Sequence, residues 1–291
     1  MAQAIFTQFL TGFSIVAILL IISLGLAVIF GVMRVINMAH GDFIMIGAYV
    51  AFVMQEYFKL NLFWGIPAAF LVLGVIGAIV ERGLIRQLYG RPLETLLATW
   101  GVSIVLQQGI RLVFGPELRY VRAPAVLDGG FQMPSSNLPF AWFRLFIIVL
   151  AGALLLLTYW ILYRTDLGMR VRAVNQNRPM AEVLGIDTRR VDRFVFAFGS
   201  GLAGIAGAIL APIKTVSPIM GFPYAVDSYM VIVLGGVGRL VGTVAGAGLI
   251  GESETVLSFL YNNVIAKLLV FTMIVIVIRV FPQGLFTMQR R

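Results

Sequence analysis

Three clusters of polar residues interrupt a largely apolar sequence, and their side chains are the ones that could bind a solute or carry a proton. The first cluster, in the sequence NMAHGD, contains Asn37, His40 and Asp42, the second contains Thr95, Thr99, Gln107 and Gln108, and the third, in GESET, contains Glu252. A charged side chain near the centre of a bilayer costs roughly 3 kcal/mol, so such residues usually face the interior of a helix bundle or water. The clusters are therefore candidates for the lining of a solute path.

Each cluster also has a purely structural interpretation that the sequence leaves open. Asn37 and Asp42 can satisfy backbone groups where two helices are joined, because irregular backbone at membrane depth must be buried in protein or line a cavity. Thr95 and Thr99 lie one helical turn apart and, like the glutamines, can form hydrogen bonds between helices. Glu81 lies near the predicted end of a span, where its side chain can extend to the membrane interface. The residue types alone do not choose between a path lining and helix packing.

Catalytic chemistry is poorly supported. His40 is the only histidine and the chain has no cysteine, so neither an HExxH motif nor a thiolate metal site is present. The sequence has no GxSxG motif, and the glycine-rich GGVGRLVGT lacks the lysine of a phosphate-binding loop. We therefore predict no catalytic residue, no metal site and no cofactor in this chain. Three functional classes remain: a channel, an ion-coupled carrier, and the membrane subunit of a transporter whose motor is a separate protein.

Composition predicts the class of protein. Of the 291 residues, 60% are hydrophobic and 12% are charged, and the mean hydropathy is +0.96. These values are typical of an all-α polytopic membrane protein embedded in lipid. A net charge of +9 would suggest a nucleic-acid partner for a soluble chain. Here the arginines gather at the ends of apolar runs, as the positive-inside rule expects, so we predict no nucleic-acid partner.

The apolar runs predict the topology. They lie at 6–32, 43–54, 62–80, 93–114, 141–162, 194–211, 227–234 and 264–280, and a glycine-rich segment, 235–251, follows the seventh. We expect a single transmembrane domain over 1–291 with about eight or nine transmembrane helices, since a span needs about 20 apolar residues. Short broken or re-entrant elements are expected near 37–43 and 234–242. The basic residues place the N-terminus outside, the C-terminus in the cytoplasm and the loop 115–140 on the extracytoplasmic side.

One long polar block, 163–193, separates two of these runs. It carries seven arginines and four acidic residues, so it cannot lie in a bilayer and is assigned to the cytoplasm. Within it, Asn177 can cap a helix, Pro179 can occupy the first turn, and Gly185 can end the helix in a left-handed conformation. The block therefore contains a predicted helix of about two turns.

This predicted helix has an apolar face. Met180, Val183 and Leu184 follow the spacing i, i+3 and i+4, which places them on one side of the helix. Because the segment is surrounded by water, this face must be covered either by a partner or by the membrane domain of the same chain. The spacing does not distinguish the two.

Several long strings in the sequence resemble a known family. The strings GVMRVINMAHGDFIMIGAYVAF, RVRAVNQNRPMAEVLGIDTRRV and VIVLGGVGRLVGTVAGAGLIG together resemble the permease subunits of the branched-chain amino acid class of ABC importers. The similarity covers nearly the whole chain, with the strings in the same order. Within that class, RPLETLLATWGVSIVLQQGIRLVFG resembles the urea-transporter permease.

The resemblance implies partners and a location. In such importers an extracytoplasmic substrate-binding protein delivers the solute, two permease subunits form the path, and two cytoplasmic ATPases bind ATP and Mg²⁺ and dock onto coupling helices. The chain would then be a non-catalytic, multi-pass subunit of a bacterial inner (plasma) membrane, paired with a different second permease. The residues that match the coupling segment are Met180, Glu182, Val183, Leu184 and Gly185.

The resemblance also suggests a solute. Urea is small and neutral, so a narrow route lined by the hydroxyl and amide groups of the second cluster could pass it, with branched-chain amino acids as the alternative solute. Two other mechanisms stay open: an ion-coupled carrier that uses Asp42 or Glu252 as a proton or sodium site, and a passive urea channel.

Overall fold

The computed structural model describes residues 2–132, 139–281 and 284–286, which form eleven α-helices and one short hairpin. In chain order the helices are α1 (Ala2–Met33), α2 (His40–Glu56), α3 (Leu62–Gly83), α4 (Pro92–Phe114), α5 (Trp142–Arg164), α6 (Asp166–Gln176), α7 (Arg178–Val183), α8 (Thr188–Leu210), α9 (Gly221–Gly235), α10 (Leu240–Leu260) and α11 (Asn263–Val280). Two 3-10 turns, Ile85–Leu88 and Ala125–Leu127, lie in the connections. The predicted all-α class is confirmed.

Helix α8 lies at the centre of the bundle, with α1, α2 and α3 packed around it. Small residues make this close packing possible. Gly204 touches the backbone of α3, where a Cβ at this position would come within 2.6 Å of the Ala69 carbonyl oxygen. Gly25 of α1 meets Gly199 of α8 in the same way, since a Cβ at Gly25 would come within 2.3 Å of the Gly199 carbonyl oxygen. Helix backbones in membranes approach this closely only where side chains are absent or small.

The described residues contain six helices long and apolar enough to cross a membrane, namely α1, α3, α4, α5, α8 and α11. The pair α9 and α10 passes the same test together, but the two helices meet at 116°, so they form either one broken span or a re-entrant element. Gly236 and Gly238 stand at this break with φ of 96° and 86°. The count is thus six or seven, below the eight or nine predicted. The difference arises because α2 has only 17 residues and because α9 and α10 count at most as one span.

Helix α2 begins inside the bundle rather than at its surface. After α1 ends at Met33, Arg34 adopts a left-handed φ of 52° and the chain turns back. The His40 ring then reaches the carbonyl of Ile22, which lies about 16 Å from the end of α1 at 1.5 Å per residue. Between α1 and α2, residues 34–39 are irregular, and those from Val35 onward are largely buried in protein. This stretch only partly overlaps the broken element predicted near 37–43, because the chain is helical from His40.

The two ends of the bundle differ in character. One end, called here the arginine-rich end, holds the polar block, which is mostly helical: α6 and α7 follow the end of α5 and precede α8. The opposite end holds the long connection between α4 and α5. There β1 (Gly130–Gln132) pairs antiparallel with β2 (Pro139–Ala141), and Arg119 forms a backbone bridge with Val216 in the link from α8 to α9.

Candidate functional sites

A buried hydrogen-bonded cluster joins the start of α2 to the middle of α4. The Gln107 amide donates to Asp42 Oδ1 at 2.9 Å and to Ser103 Oγ at 3.2 Å. At 1.5 Å per residue, Gln107 lies about 22 Å along α4 from Pro92 and about 10 Å from Phe114, so the cluster lies away from both ends of the helix. Asp42 is only 3% exposed. A carboxylate at this depth is stabilised by these amide and hydroxyl donors.

Asn37 and His40, on the irregular segment before α2, are fully buried next to this cluster. The Ala39 N–H donates to Asn37 Oδ1 at 3.1 Å, so Asn37 satisfies a backbone group at the start of α2, as one of our two interpretations predicted. His40 Nε2 lies 3.0 Å from the Ile22 carbonyl oxygen, and because a carbonyl only accepts, Nε2 carries the proton. Among the described residues, Asn37 Nδ2 and His40 Nδ1 have no hydrogen-bond partner. Both side chains therefore pack inside the bundle, and each keeps one polar atom that the described residues leave unpaired.

Thr99 also belongs to this region. Its hydroxyl oxygen accepts from the Met38 N–H at 3.1 Å and lies 3.3 Å from the Ile36 carbonyl oxygen, so it ties α4 to the irregular segment. Asn37, His40, Asp42, Thr99 and Gln107 are therefore brought together from two of the predicted clusters. The hydrogen bonds that join the two clusters link residues that are 61 and 65 positions apart in the sequence.

The other predicted path residues lie elsewhere. Thr95 is buried at the arginine-rich end, where its hydroxyl bonds the backbone carbonyls of Leu88 and Arg91. Gln108 is exposed on the outer side of α4. Glu252 on α10 packs against α1, where a Cβ on Gly12 would come within 2.5 Å of its carboxylate. The two threonines and two glutamines therefore do not line a single route, because successive turns of α4 face different neighbours.

The coupling segment forms the predicted helix. Asn177 Oδ1 accepts from the Met180 N–H at 3.1 Å, and Gly185 follows the helix with a φ of 81°. The Ile186 N–H reaches back to the Ala181 carbonyl at 3.0 Å, which closes the C-terminal cap. Helix α7 thus begins after an asparagine cap and is followed by a left-handed glycine, as the sequence predicted.

The apolar face of α7 is open. Met180 is 55% exposed, Val183 is 82% exposed and Leu184 is 73% exposed, whereas Ala181, on the other side, is 2% exposed. The chain's own membrane domain therefore covers only the side of α7 that carries Ala181. An apolar face that stays uncovered in this way is typical of interaction surfaces.

Sequence reasoning missed a set of buried charges. Glu81 was predicted to reach a membrane interface, but its side chain is 0% exposed and lies 3.8 Å from Arg193 Nε, so that prediction was wrong. Asp192 pairs with Arg178, and Asp227 of α9 pairs with Lys267 of α11 at 3.3 Å. The available signal was the presence of acidic residues on apolar helices, which are stable there only when paired.

The structure gives no sign of a bound ion site in its described portion, where no three His, Cys, Asp or Glu side chains are grouped closely enough to hold a metal. A small cavity of about 60 Å³ lies at the arginine-rich end, between the end of α1, the end of α5, α6 and the α9–α10 turn. Arg172 and Arg239 line it. It is separate from the buried cluster around Asp42.

Taken together, the apolar spans, the buried polar cluster and the exposed apolar helix define a polytopic all-α membrane protein. Residues 8–278 match the family described as the permease component of branched-chain amino acid transport systems. The chain belongs to this family.

Individual relatives agree with this assignment. The chain is 29% identical to the high-affinity branched-chain amino acid transport system permease protein LivH of Salmonella typhimurium, over 96% of this chain and 94% of the relative. It is 25% identical to the permease protein BraD of Pseudomonas aeruginosa over the same shares. The permease protein LivM of Escherichia coli is 24% identical over 94% of this chain and 68% of its own length. No solved structure matches the chain.

Proposed function

We propose that this chain is the transmembrane permease subunit of an ATP-driven importer, and that α7 is the surface onto which a cytoplasmic ATPase docks. The observation that carries the proposal is the exposed apolar face of Met180, Val183 and Leu184 on a capped helix at the arginine-rich end. An amphipathic helix that presents such a face fits a hydrophobic groove on a partner protein. Glu182 and Gly185 match the coupling segment of the family: Glu182 lies within α7, and Gly185 follows its end.

The sidedness follows from charge. Basic residues concentrate at the end that holds α6 and α7, so we place this end and the C-terminus in the cytoplasm of a bacterial inner membrane. The N-terminus and the connection between α4 and α5 then lie outside. That outer surface is where an extracytoplasmic binding protein would deliver the solute.

A second permease subunit completes the path. Among the relatives, LivH and LivM of Escherichia coli are both named as permease proteins of a high-affinity branched-chain amino acid transport system, which supports a heterodimer. Helices α4 and α11 are mostly exposed in the single chain and offer large apolar faces. Alternating access would then arise from rocking of the two subunits when ATP closes the motor dimer.

Two solutes are candidates. The resemblance of residues 91–115 to the urea-transporter permease favours urea. The amide of Gln107 and the hydroxyl of Thr99 are groups that can form hydrogen bonds with urea. The names of the curated relatives favour branched-chain amino acids. The cluster around Asp42 is our proposed part of the path in either case, with Asn37 Nδ2 and His40 Nδ1 as the groups that can bond a solute.

Reconstitution tests the proposal. The chain is placed in liposomes with a candidate second permease, candidate ATPases and a candidate binding protein from the same organism, and uptake of labelled urea and labelled leucine is measured. We expect uptake that needs ATP and the binding protein. Uptake by the isolated chain driven by an ion gradient would instead identify a carrier, and downhill urea flux without partners would identify a channel; either result refutes the importer.

A further inference from the structure

Helix α7 is connected to the membrane domain by two non-helical links. Asn177 before it is extended, with φ of −155° and ψ of 99°, and Gly185 after it has a left-handed φ of 81°. A two-turn helix between two such links is not held in place by continuous backbone hydrogen bonding. Side-chain contacts must therefore determine how it sits on the membrane domain.

Arg178, the first residue of α7, makes these contacts. Its Nη2 lies 2.5 Å from Asp192 Oδ2 in the first turns of α8, and its Nε lies 3.7 Å from Glu182 Oε1 within α7. The Thr188 hydroxyl, at the start of α8, also donates to Glu182 Oε1 at 2.7 Å. One guanidinium thus joins both turns of α7 to α8.

The contacts continue from Arg178 to α3. The guanidinium stacks over the ring of Tyr89, with 4.8 Å from its central carbon to the ring centroid. The Tyr89 hydroxyl donates to Glu81 Oε1 at 3.1 Å, and Arg193 of α8 lies beside the other carboxylate oxygen. Burial raises the pKa of Tyr89 above its usual range, and the nearby carboxylates raise it further, so the phenol stays neutral and remains a donor.

We propose that Arg178 is the positioning residue that carries a displacement of α7 into the cytoplasmic ends of α3 and α8. This rests on the proposed function, since the displacement comes from the docked ATPase. The Asp192 side chain is 1% exposed and that of Glu81 is 0% exposed. A buried carboxylate that loses its partner is strongly destabilised, so α7 cannot move away from α8 without taking Asp192 along. Helix α7 and the ends of the two spans therefore move as one body.

The test compares solute transported per ATP hydrolysed in the reconstituted complex. Asp192→Asn removes the negative charge that pairs with Arg178 and leaves an amide of the same size in its place. We expect the complex to assemble and hydrolyse ATP, with the transport-to-ATP ratio lowered at least about tenfold. Arg178→Lys keeps the charge but loses the planar fork and the stacking, so it should give an intermediate ratio.

The matched control is Arg190→Gln, since Arg190 lies on α8 together with Asp192. Arg190 pairs with Asp187 at 2.8 Å, but its side chain is 82% exposed, so its loss should leave the ratio unchanged. A wild-type ratio in Asp192→Asn overturns the inference. So does a parallel loss of assembly, hydrolysis and transport in both Asp192→Asn and Arg178→Lys, because that result shows a purely structural role. If the ATPase fails to bind the wild-type permease, the proposed function itself has failed.

Discussion

Truncation of Leu184 tests the proposed docking surface most directly. The side chain is 73% exposed in the single chain, and docking onto a groove would bury that exposed part. Leucine to alanine removes three carbon groups, each worth about 0.8 kcal/mol on burial. Scaled by the exposed fraction, Leu184→Ala should weaken docking by about 1.8 kcal/mol, which is about a 20-fold increase in Kd.

The assay is the affinity of the detergent-solubilised permease for its ATPase, measured with the ATPase immobilised. The thermal stability of the free permease should change by less than about 0.5 kcal/mol, because the side chain contacts little in the single chain. Leu118→Ala is the matched control: Leu118 is 58% exposed at the opposite end of the bundle, and its truncation should leave the Kd unchanged. An unchanged Kd in Leu184→Ala, or an equal loss in Leu118→Ala, would refute the assignment of α7 as the docking helix.

Three further predictions concern the membrane domain. Gln107→Leu removes the amide that donates to the buried carboxylate of α2, so solute uptake should fall at least about tenfold while the complex still assembles; normal uptake would remove this cluster from the path. Gly204→Val should destabilise the bundle by about 1–3 kcal/mol because of the close α3 backbone. Gly248→Ala should not lower the melting temperature, because in the described part of the chain no atom beyond its chain neighbours and its own helix backbone lies within 4 Å of the new Cβ. Lys267→Met leaves Asp227 without its ion-pair partner and should destabilise the protein by about 1–3 kcal/mol, which a melting curve in detergent would show; an unchanged curve would mean that the pair contributes nothing.

Local patterns were sufficient for much of the protein. The apolar runs predicted the long helices, because burying backbone in lipid leaves a chain little choice but helix. Helix α7 was predicted in detail, with Asn177 at its start and Gly185 at its end, because a cap depends on residues within one turn of each other. The exposure of the α7 face does not follow from spacing, however, since covering it depends on what the rest of the chain places nearby.

The sequence by itself determined the class, the family and the short capped helix, all of which depend on composition, order and nearest neighbours. Only the tertiary structure decided which polar groups meet. It brought Gln107 to Asp42 across 65 residues, left Gln108 exposed, and buried Glu81 beside Arg193. The physical reason is that a polar side chain in a membrane bundle is stable wherever a partner reaches it, and that partner comes from another helix whose depth and rotation the sequence does not display.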